Sequence, residues 1–298
     1  MQEALAFLEN HGIDFTRDKE LSRVSAMRLG GRCAILASPV TEEEFVKTVL
    51  FAKNNGYKHK VVGRMSNVLP PDEYYNGIVV STLKMANYSV AENILTVQCG
   101  AVFSKLAASL ARLGYGGAVE LSGIPGTVGG MIYSNAGAYG LEISDVFIDA
   151  QCYSFCDRRI VTLSKDDMHF SYRHSVLSDG NYLLLSARIA LSREHSFSVK
   201  AKMKSLYDER SKRQPLDMPS LGSAFLRPNG YFAAKLIDDA GLRGFSIGGA
   251  EVSEKHAGFI VNKGNATAEE VKSLILYVQR CVFEKFGVEL IPEIEFLE

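Results

Sequence analysis

The 298-residue chain lacks an excess of charge of either sign, since 33 lysines and arginines stand against 34 acidic residues. This balance gives no electrostatic reason to expect a nucleic acid or an anionic membrane as a partner. The opening stretch MQEALAFLENHGIDF carries acids and no long apolar run, so the sequence predicts neither a signal peptide nor a membrane anchor. We therefore expect a cytoplasmic protein.

Cysteine is scarce, with five residues at positions 33, 99, 152, 156 and 281. Cys152 and Cys156 form a C-x3-C pair, whose even spacing would place both on one face of a strand. No second pair with metal-ligand spacing accompanies it. The sequence therefore predicts reduced, packed thiols and no metal site.

Several catalytic signatures are also missing. In PSLGSAFLRP, residues 219–228, Ser223 stands between a glycine and an alanine and forms no G-x-S-x-G elbow. The nearest histidines along the chain are His195 and His256. The chain has neither internal repeats nor low-complexity segments. Local sequence alone therefore favours a turn serine.

The patterns that are present indicate an α+β chain of two or three compact units. Residues 41–55 open with a threonine cap and place Phe45, Val49 and Ala52 on one helical face. A change of character bounded by Pro215 suggests that the last domain begins near residue 200. Further helices are predicted at residues 103–113, 198–213, 230–240 and 267–286, and strands at residues 147–164, 182–191, 257–262 and 289–297.

The most informative stretch is LSGIPGTVGGMIYSNAGAYG, residues 121–140, which holds six glycines. No lysine or arginine occurs between Arg112 and Arg158. Backbone N–H groups in such a loop form anion-binding nests, which bind phosphate without side-chain cations. The glycine spacing matches neither the Rossmann nor the P-loop motif. The pattern favours a ligand-binding loop over a mere set of tight turns.

This stretch resembles the flavin-binding core of the UDP-N-acetylenolpyruvoylglucosamine reductase family. Four more motifs resemble the family in the same order: MRLGG (27–31), YRHS (172–175), QPLDMPSLGSAFLRP (214–228) and GGAEVSEKHAGFIVNKGNAT (248–267). The resemblance covers essentially the whole chain. The chain is similar to the compact second type of the family. It implies two α+β FAD-binding subdomains of the PCMH/vanillyl-alcohol-oxidase type at residues 1–75 and 76–200. An α/β substrate-binding domain would follow at residues 201–288, with the strand 289–298 returning to the first subdomain.

The resemblance implies reduction of UDP-N-acetylglucosamine enolpyruvate by NADPH through bound FAD, a step in peptidoglycan precursor synthesis. Hydride delivery to the enol ether leaves a carbanion-like carbon beside the carboxylate, so the reaction needs a positive charge and a proton donor. By resemblance, Arg173 supplies the charge, Ser223 donates the proton, and Glu293 is the third catalytic group. Strand alternation places Glu293 and Glu295 on the same face and does not distinguish them. The family pattern P-E-[VI] matches Glu293.

The resemblance also implies the binding residues. Flavin contacts are expected from Gly63, Ser66, Asn67, Ser122, Gly123, Ile124, Gly126, Thr127, Gly129, Gly130, Asn135, Gly137 and Ala138. Contacts to the UDP-sugar are expected from Tyr139, Tyr172, Arg213, Arg227, Lys235 and His256, among which the cationic groups suit a diphosphate. Without the family match, Arg173 would be interpreted as a surface ion-pair residue, and His256 equally as a packed or capping histidine.

One segment departs from the family, because GRMSN at residues 63–67 replaces a run of glycines before Ser-Asn. If a replaced glycine needs a positive φ, Arg64 or Met65 is strained by roughly 1–2 kcal/mol. In the alternative, the loop is rearranged and Arg64 reaches the pyrophosphate. Two other functions therefore stay open: a flavin oxidase or dehydrogenase of the same superfamily, and a UDP-sugar-binding protein that has lost FAD.

Overall fold

The computed structural model describes all residues, 1–298, and the chain divides into two compact units. The first unit comprises residues 1–16, 36–64 and 78–208, and the second comprises residues 17–35, 65–77 and 209–298. Each unit is thus assembled from stretches that are far apart in the sequence. The predicted division into three parts, at residues 75 and 200, stays a prediction.

The regular elements alternate along the chain. The α-helices are α1 (Gln2–Asn10), α2 (Glu42–Asn54), α3 (Phe103–Arg112), α4 (Val128–Tyr133), α5 (Ile143–Val146), α6 (Ser196–Arg213), α7 (Ala233–Asp239) and α8 (Ala268–Phe286). The strands are β1 (Phe15–Glu20), β2 (Arg32–Ala37), β3 (His59–Val62), β4 (Val68–Leu69), β5 (Tyr75–Ser81), β6 (Tyr88–Ala91), β7 (Ile94–Gln98), β8 (Tyr115–Gly116), β9 (Gly137–Ala138), β10 (Leu141–Glu142), β11 (Phe147–Ser154), β12 (Arg159–Ser164), β13 (Tyr182–Ala190), β14 (Ser192–Arg193), β15 (Ser220–Ser223), β16 (Ser246–Ile247), β17 (Ala250–Val252), β18 (Phe259–Asn262) and β19 (Glu295–Phe296).

The predicted helices are confirmed. At the start of α2, Thr41 Oγ1 accepts a hydrogen bond from the Glu44 amide, and Phe45, Val49 and Ala52 are buried as the periodicity requires. Helix α8 begins with a capping box between Thr267 and Glu270. Helix α7 is shorter than predicted, since the residues before Ala233 form turns.

The predicted strand at residues 289–297 is wrong in length, because only Glu295 and Phe296 form a strand. Pro292 has no N–H to donate to a ladder, and it makes an isolated bridge with Phe225 instead. The short strand β19 pairs in parallel with β4.

The first unit is built on a five-stranded antiparallel sheet in the order β12-β11-β13-β7-β6. Strand β3 pairs in parallel with β5, where His59–Val62 lie opposite Ile78–Ser81. Helix α6 packs Val199, with Met203 and Leu206 beside it, against Ala111 and Val119.

The second unit is built on the antiparallel sheet β15-β18-β17-β16. Helix α8 buries Val271, Leu274 and Val278 in the core of this unit. Its N-terminus receives a second cap from a distant loop, since the two carboxylate oxygens of Asp72 accept from the amides of Ala268 and Glu269 at 2.8 and 3.0 Å. An acceptor there compensates the unpaired N–H groups of the first turn. The loop that leads to β5 is thereby tied to α8.

The cysteines are free thiols, and Cys33, Cys99 and Cys152 are buried. Burial raises the pKa of Cys99 and of Cys152 to about 12, so both stay protonated at neutral pH. Strand β11 ends at Ser154, and Cys156 therefore lies exposed in the turn rather than on the face that holds Cys152. No helix is both long and apolar enough to cross a membrane.

Candidate active site

The glycine-rich segment folds into a short 3₁₀-turn, a loop and helix α4. The 3₁₀-turn covers Val119–Gly123, and Thr127 then caps α4 by accepting from the Gly130 amide at 3.3 Å. Ser122 and Gly123 in the 3₁₀-turn, and Ile124 and Gly126 in the loop that follows it, are half-buried. Backbone N–H groups in a loop of this kind can bind an anion such as a phosphate.

Part of the glycine content is required by the packing of the protein itself. A Cβ on Gly63 would lie 2.3 Å from Thr127 Oγ1, and a Cβ on Gly137 would lie 2.9 Å from Glu142 Cγ. The Gly129 amide donates to the Cys99 carbonyl at 2.7 Å. These glycines therefore let two segments of the same unit approach each other closely. The predicted flavin contacts of the segment stay a prediction.

Arg173 lies at the tip of a tight turn in the first unit. Ser171 and His174 form an antiparallel bridge, which leaves Tyr172 and Arg173 as the two tip residues. Arg173 has a φ of 56°, and its guanidinium lies over the Tyr172 ring at 5.1 Å from the ring centroid. Tyr139, the other aromatic residue assigned to the substrate, has a φ of 55° and donates its hydroxyl to the Leu206 carbonyl at 2.8 Å.

Ser223 ends strand β15 of the second unit and is exposed. The pairing of β15 with β18 contains a register shift between Ser220 and Ser223, and Gly222, within it, has a φ of 83°. A glycine in the left-handed region is typical of a β-bulge, which bends the strand and redirects the side chain that follows. The bulge therefore turns Ser223 outward at the end of the strand.

The backbone beside Ser223 is bonded to the segment that carries Glu293. The Ala224 amide donates to the Gly258 carbonyl at 2.8 Å, and the Ala224 carbonyl accepts from the Glu293 amide at 2.9 Å. Asn67, predicted as a flavin contact, donates its side-chain N–H to the Glu293 carbonyl at 2.9 Å. Two backbone groups of Glu293 are thus held by residues of the same unit, while its carboxylate is half-buried.

His256 lies in the turn that leads into strand β18. Its Nδ1 accepts from the Gly258 amide at 3.2 Å, which leaves the proton of a neutral ring on Nε2. Burial, and secondarily the positive charge of Arg243, lower the pKa of His256 below its usual value. Since the Gly258 carbonyl holds Ala224, this ring supports the segment beside Ser223.

The remaining substrate-assigned cations are exposed and engage neighbours on the same stretch of chain. Arg213 pairs with Glu209 at 3.2 Å, Lys235 pairs with Asp239 at 2.9 Å, and the Arg227 guanidinium lies over the Phe232 ring at 5.1 Å. Exposed ion pairs of this kind contribute about 0–1 kcal/mol. A diphosphate can therefore replace the carboxylates at little cost.

In the GRMSN loop the left-handed backbone falls on Met65, whose φ is 47°, while Arg64 is not in that region. The Met65 side chain is only 3% exposed, and burial of a methionine stabilises by about 1.5–3 kcal/mol. This gain offsets the roughly 1–2 kcal/mol of backbone strain. The protein thus keeps a methionine where the family pattern has glycine because its side chain is packed.

We expect Met65→Gly to lower the free energy of unfolding by about 1 kcal/mol, since lost burial outweighs relieved strain. Met65→Ala should be more destabilising than Met65→Gly, because alanine keeps the strained φ and loses most of the side chain. Equilibrium unfolding in urea measures both values. A glycine variant more stable than the wild type would contradict this account.

The lowered pKa of His256 predicts a pH dependence of stability. The unfolded chain binds a proton at this histidine at higher pH than the folded chain does. The contribution of the neutral ring to the free energy of unfolding is therefore complete above about pH 6.5 and is lost as the pH falls below that value. We expect the wild type to lose more stability between pH 7.5 and pH 5 than His256→Gln does, in thermal unfolding at each pH. Equal losses in the two proteins would show that His256 does not titrate as described.

The sequence-predicted residues thus fall into two groups, each inside one unit. In the second unit, the segments of Ser223, Glu293, Asn67 and His256 are joined by hydrogen bonds. In the first unit, the glycine-rich segment and the Arg173 turn are joined. Sequence reasoning missed Gly222, although a glycine inside a strand pattern is a signal for a bulge. It also missed the supporting roles of Ala224 and Gly258, for which no local signal exists.

Comparisons with known proteins agree with this architecture. A family model described as "FAD binding domain" matches residues 33–164, and one described as "UDP-N-acetylenolpyruvoylglucosamine reductase, C-terminal domain" matches residues 214–297. The chain is similar to the crystal structure of UDP-N-acetylenolpyruvylglucosamine reductase from Thermus caldophilus, with a TM-score of 0.77 and 29% identity over 95% of this chain and 98% of that one. The class is therefore an α+β flavoprotein with an FAD-binding domain and a C-terminal domain of the reductase family.

Curated relatives define the family within this class. The chain is 43% identical to the UDP-N-acetylenolpyruvoylglucosamine reductase of Caldicellulosiruptor saccharolyticus, over 97% of this chain and 94% of the relative. It is 41% identical to the enzyme of the same name from Caldanaerobacter subterraneus subsp. tengcongensis, over 94% of this chain and 92% of the relative. The chain belongs to the UDP-N-acetylenolpyruvoylglucosamine reductase family.

Proposed function

We propose that this protein reduces UDP-N-acetylglucosamine enolpyruvate to UDP-N-acetylmuramate, with FAD as bound cofactor and NADPH as hydride donor. Family membership supports the substrate and the cofactor. The observation that carries the proposal is the second unit's arrangement of two motif residues. Ser223 is turned outward by a bulge, and the next residue, Ala224, bonds to the backbone of Glu293.

When bound, FAD would supply the hydride transfer between NADPH and the enolpyruvyl β-carbon. The Ile124 N–H is bonded to the Leu121 carbonyl at the end of the 3₁₀-turn, so the N–H groups of Gly126 and Thr127 are the ones suited to hold its phosphates. The N–H groups of Gly129 and Gly130 are already bonded to Cys99 and Thr127. Their part in cofactor binding is therefore to shape the loop.

Ser223 is the proton donor in this proposal. Hydride addition gives the neighbouring carbon carbanion character, and such a strong base takes a proton from a neutral hydroxyl without an adjacent histidine. Arg173 spreads the enolate charge, since its planar guanidinium matches a carboxylate with two parallel donors. Glu293 is the third group, held by its backbone next to the Ser223 strand.

The diphosphate and sugar are assigned to residues on the exposed faces. Arg213, Arg227 and Lys235 supply positive charge, while Tyr139 and Tyr172 supply flat apolar surfaces. The carboxylate partners of Arg213 and Lys235, Glu209 and Asp239, are exposed as well. Exchange of these carboxylates for a diphosphate keeps each cation paired.

The decisive experiment is to measure NADPH consumption by the purified protein with and without UDP-N-acetylglucosamine enolpyruvate. We expect consumption that depends on the sugar and yields UDP-N-acetylmuramate, identified by mass. Consumption that is independent of the sugar and needs oxygen would indicate an oxidase instead. A colourless protein that cannot be reconstituted with FAD would indicate a UDP-sugar-binding protein.

A further inference from the structure

We infer that Asn135 is a positioning residue for Arg173, because its side-chain amide fixes the turn that presents the guanidinium. The inference rests on the proposed function, in which Arg173 contacts the substrate. The resemblance assigns Asn135 to the flavin. The hydrogen bonds of its side chain point to another role.

The Arg173 turn is conformationally demanding. The amides of Ser171 and His174 each donate to the other's carbonyl, at 3.1 and 3.2 Å, so that two residues form the whole tip. Of the two tip residues, only the second, Arg173, has a positive φ, 56°, which is the position where a type II turn favours glycine or asparagine. An arginine resists this conformation. Surrounding structure must therefore hold the turn if the guanidinium is to keep one direction.

Asn135 supplies that support from the end of helix α4. Its Nδ2 donates to the Ser171 carbonyl at 3.1 Å and to Glu142 Oε2 at 2.9 Å. Its Oδ1 accepts from the Ser144 amide at 3.2 Å. Both donors and the acceptor are engaged within the first unit, and the residue is 1% exposed. The Ser171 carbonyl is also the group that closes the turn, so the amide acts directly on the turn's base.

A second bond anchors the other side of the same turn. Ser175 is fully buried, and its hydroxyl donates to the Tyr133 carbonyl at 2.9 Å. Asn135 and Ser175 thus clamp the turn to residues 133–135 from both ends. A buried donor or acceptor that loses its partner lowers the stability of the folded state. Loss of one of these hydrogen bonds therefore weakens the attachment of the turn.

Asn135 itself has a φ of 42°, which narrows the useful substitutions. Asn135→Asp tolerates this φ and keeps the shape and the acceptor, but it removes both donors and adds a charge beside Glu142. Asn135→Gly keeps the backbone conformation and removes the whole side chain. Ser154→Ala is a matched control, because Ser154 is a buried serine of the same unit whose hydroxyl holds the turn at Asp157.

We expect both Asn135 variants to bind FAD and to be reduced by NADPH as the wild type is. Turnover of the enolpyruvyl sugar at saturation should fall by about 10- to 100-fold, the scale of a misplaced catalytic group. Substitution of Ser175 by alanine should give the same pattern with a smaller decrease in turnover. This variant tests the attachment of the turn if an Asn135 variant fails to fold. The Ser154→Ala variant should keep both half-reactions.

Amide hydrogen exchange gives a readout that does not depend on activity. In the Asn135 variants, exchange in residues 168–178 should rise by about 10-fold or more, while the strands β11 and β13 stay protected. Unchanged exchange in this segment would overturn the inference, as would weakened FAD binding with normal turnover at saturating FAD. If the wild type fails to reduce the enolpyruvyl sugar, the proposed function fails, and exchange still decides whether Asn135 holds the turn.

Discussion

The Ser223→Ala variant is expected to oxidise its reduced flavin with the enolpyruvyl sugar at least ~100-fold more slowly than the wild type, on the scale of a lost general acid. Reduction of the flavin by NADPH should be unchanged, because that step delivers no proton to the substrate. Anaerobic stopped-flow absorbance of the flavin follows the two half-reactions separately. The expected result is therefore a split between them rather than a general loss of activity.

Two further variants make the Ser223 result specific. Ser223→Cys should recover part of the rate, since a thiol is also a neutral donor of similar reach. Ser220→Ala, on the same strand ahead of the bulge, should leave both half-reactions intact. If Ser223 only shapes the turn, its loss should cost about 1 kcal/mol of stability and leave reoxidation normal. That outcome would return Ser223 to a structural role.

Replacement of Arg173 by lysine is expected to leave FAD bound and NADPH reduction intact while turnover of the enolpyruvyl sugar falls by about 100-fold. Lysine keeps the charge but loses the planar fork that binds a carboxylate through two parallel hydrogen bonds. The measurement is steady-state turnover together with single-turnover flavin reduction.

Arg158→Lys is a matched control for Arg173→Lys. Arg158 is an exposed arginine of the same unit and also has a positive φ, 54°, in the turn between β11 and β12. The backbone consequences of the two substitutions are therefore similar, but Arg158 has no place in the proposed reaction. Wild-type turnover in both lysine variants would remove Arg173 from the mechanism.

Much of the local structure follows from local sequence. The Thr41 cap and the spacing of Phe45, Val49 and Ala52 predict helix α2, and the structure has it. The capping box at Thr267 marks the start of α8 in the same way. Such signals work because a helix satisfies its hydrogen bonds within a few residues. The strand at 289–297 was mispredicted because alternation takes no account of which neighbour Pro292 meets.

The glycine-rich segment shows a limit of prediction from a sequence motif. Its glycines predict close approach, but the pattern does not say to what. At Gly129 and Gly137 the neighbour is the protein's own Cys99 and Glu142, and Gly63, outside the segment, lies against Thr127 within it. In the GRMSN loop, the sequence left Arg64 and Met65 as alternatives for the strained position. In the structure the positive φ falls on Met65, whose side chain is buried.

The sequence by itself determined the helices and the family motifs, since each depends on residues close together in the chain or on a motif read in order. The resemblance carried by those motifs predicts Ser223, Arg173 and Glu293 as the catalytic residues. Only the tertiary structure decided what supports them. Asn67 and Glu293 are 226 residues apart and share a hydrogen bond, and Asn135 and Ser171 are 36 apart. A side-chain amide bonds whichever carbonyl the fold places beside it, and no periodicity or cap encodes that partner.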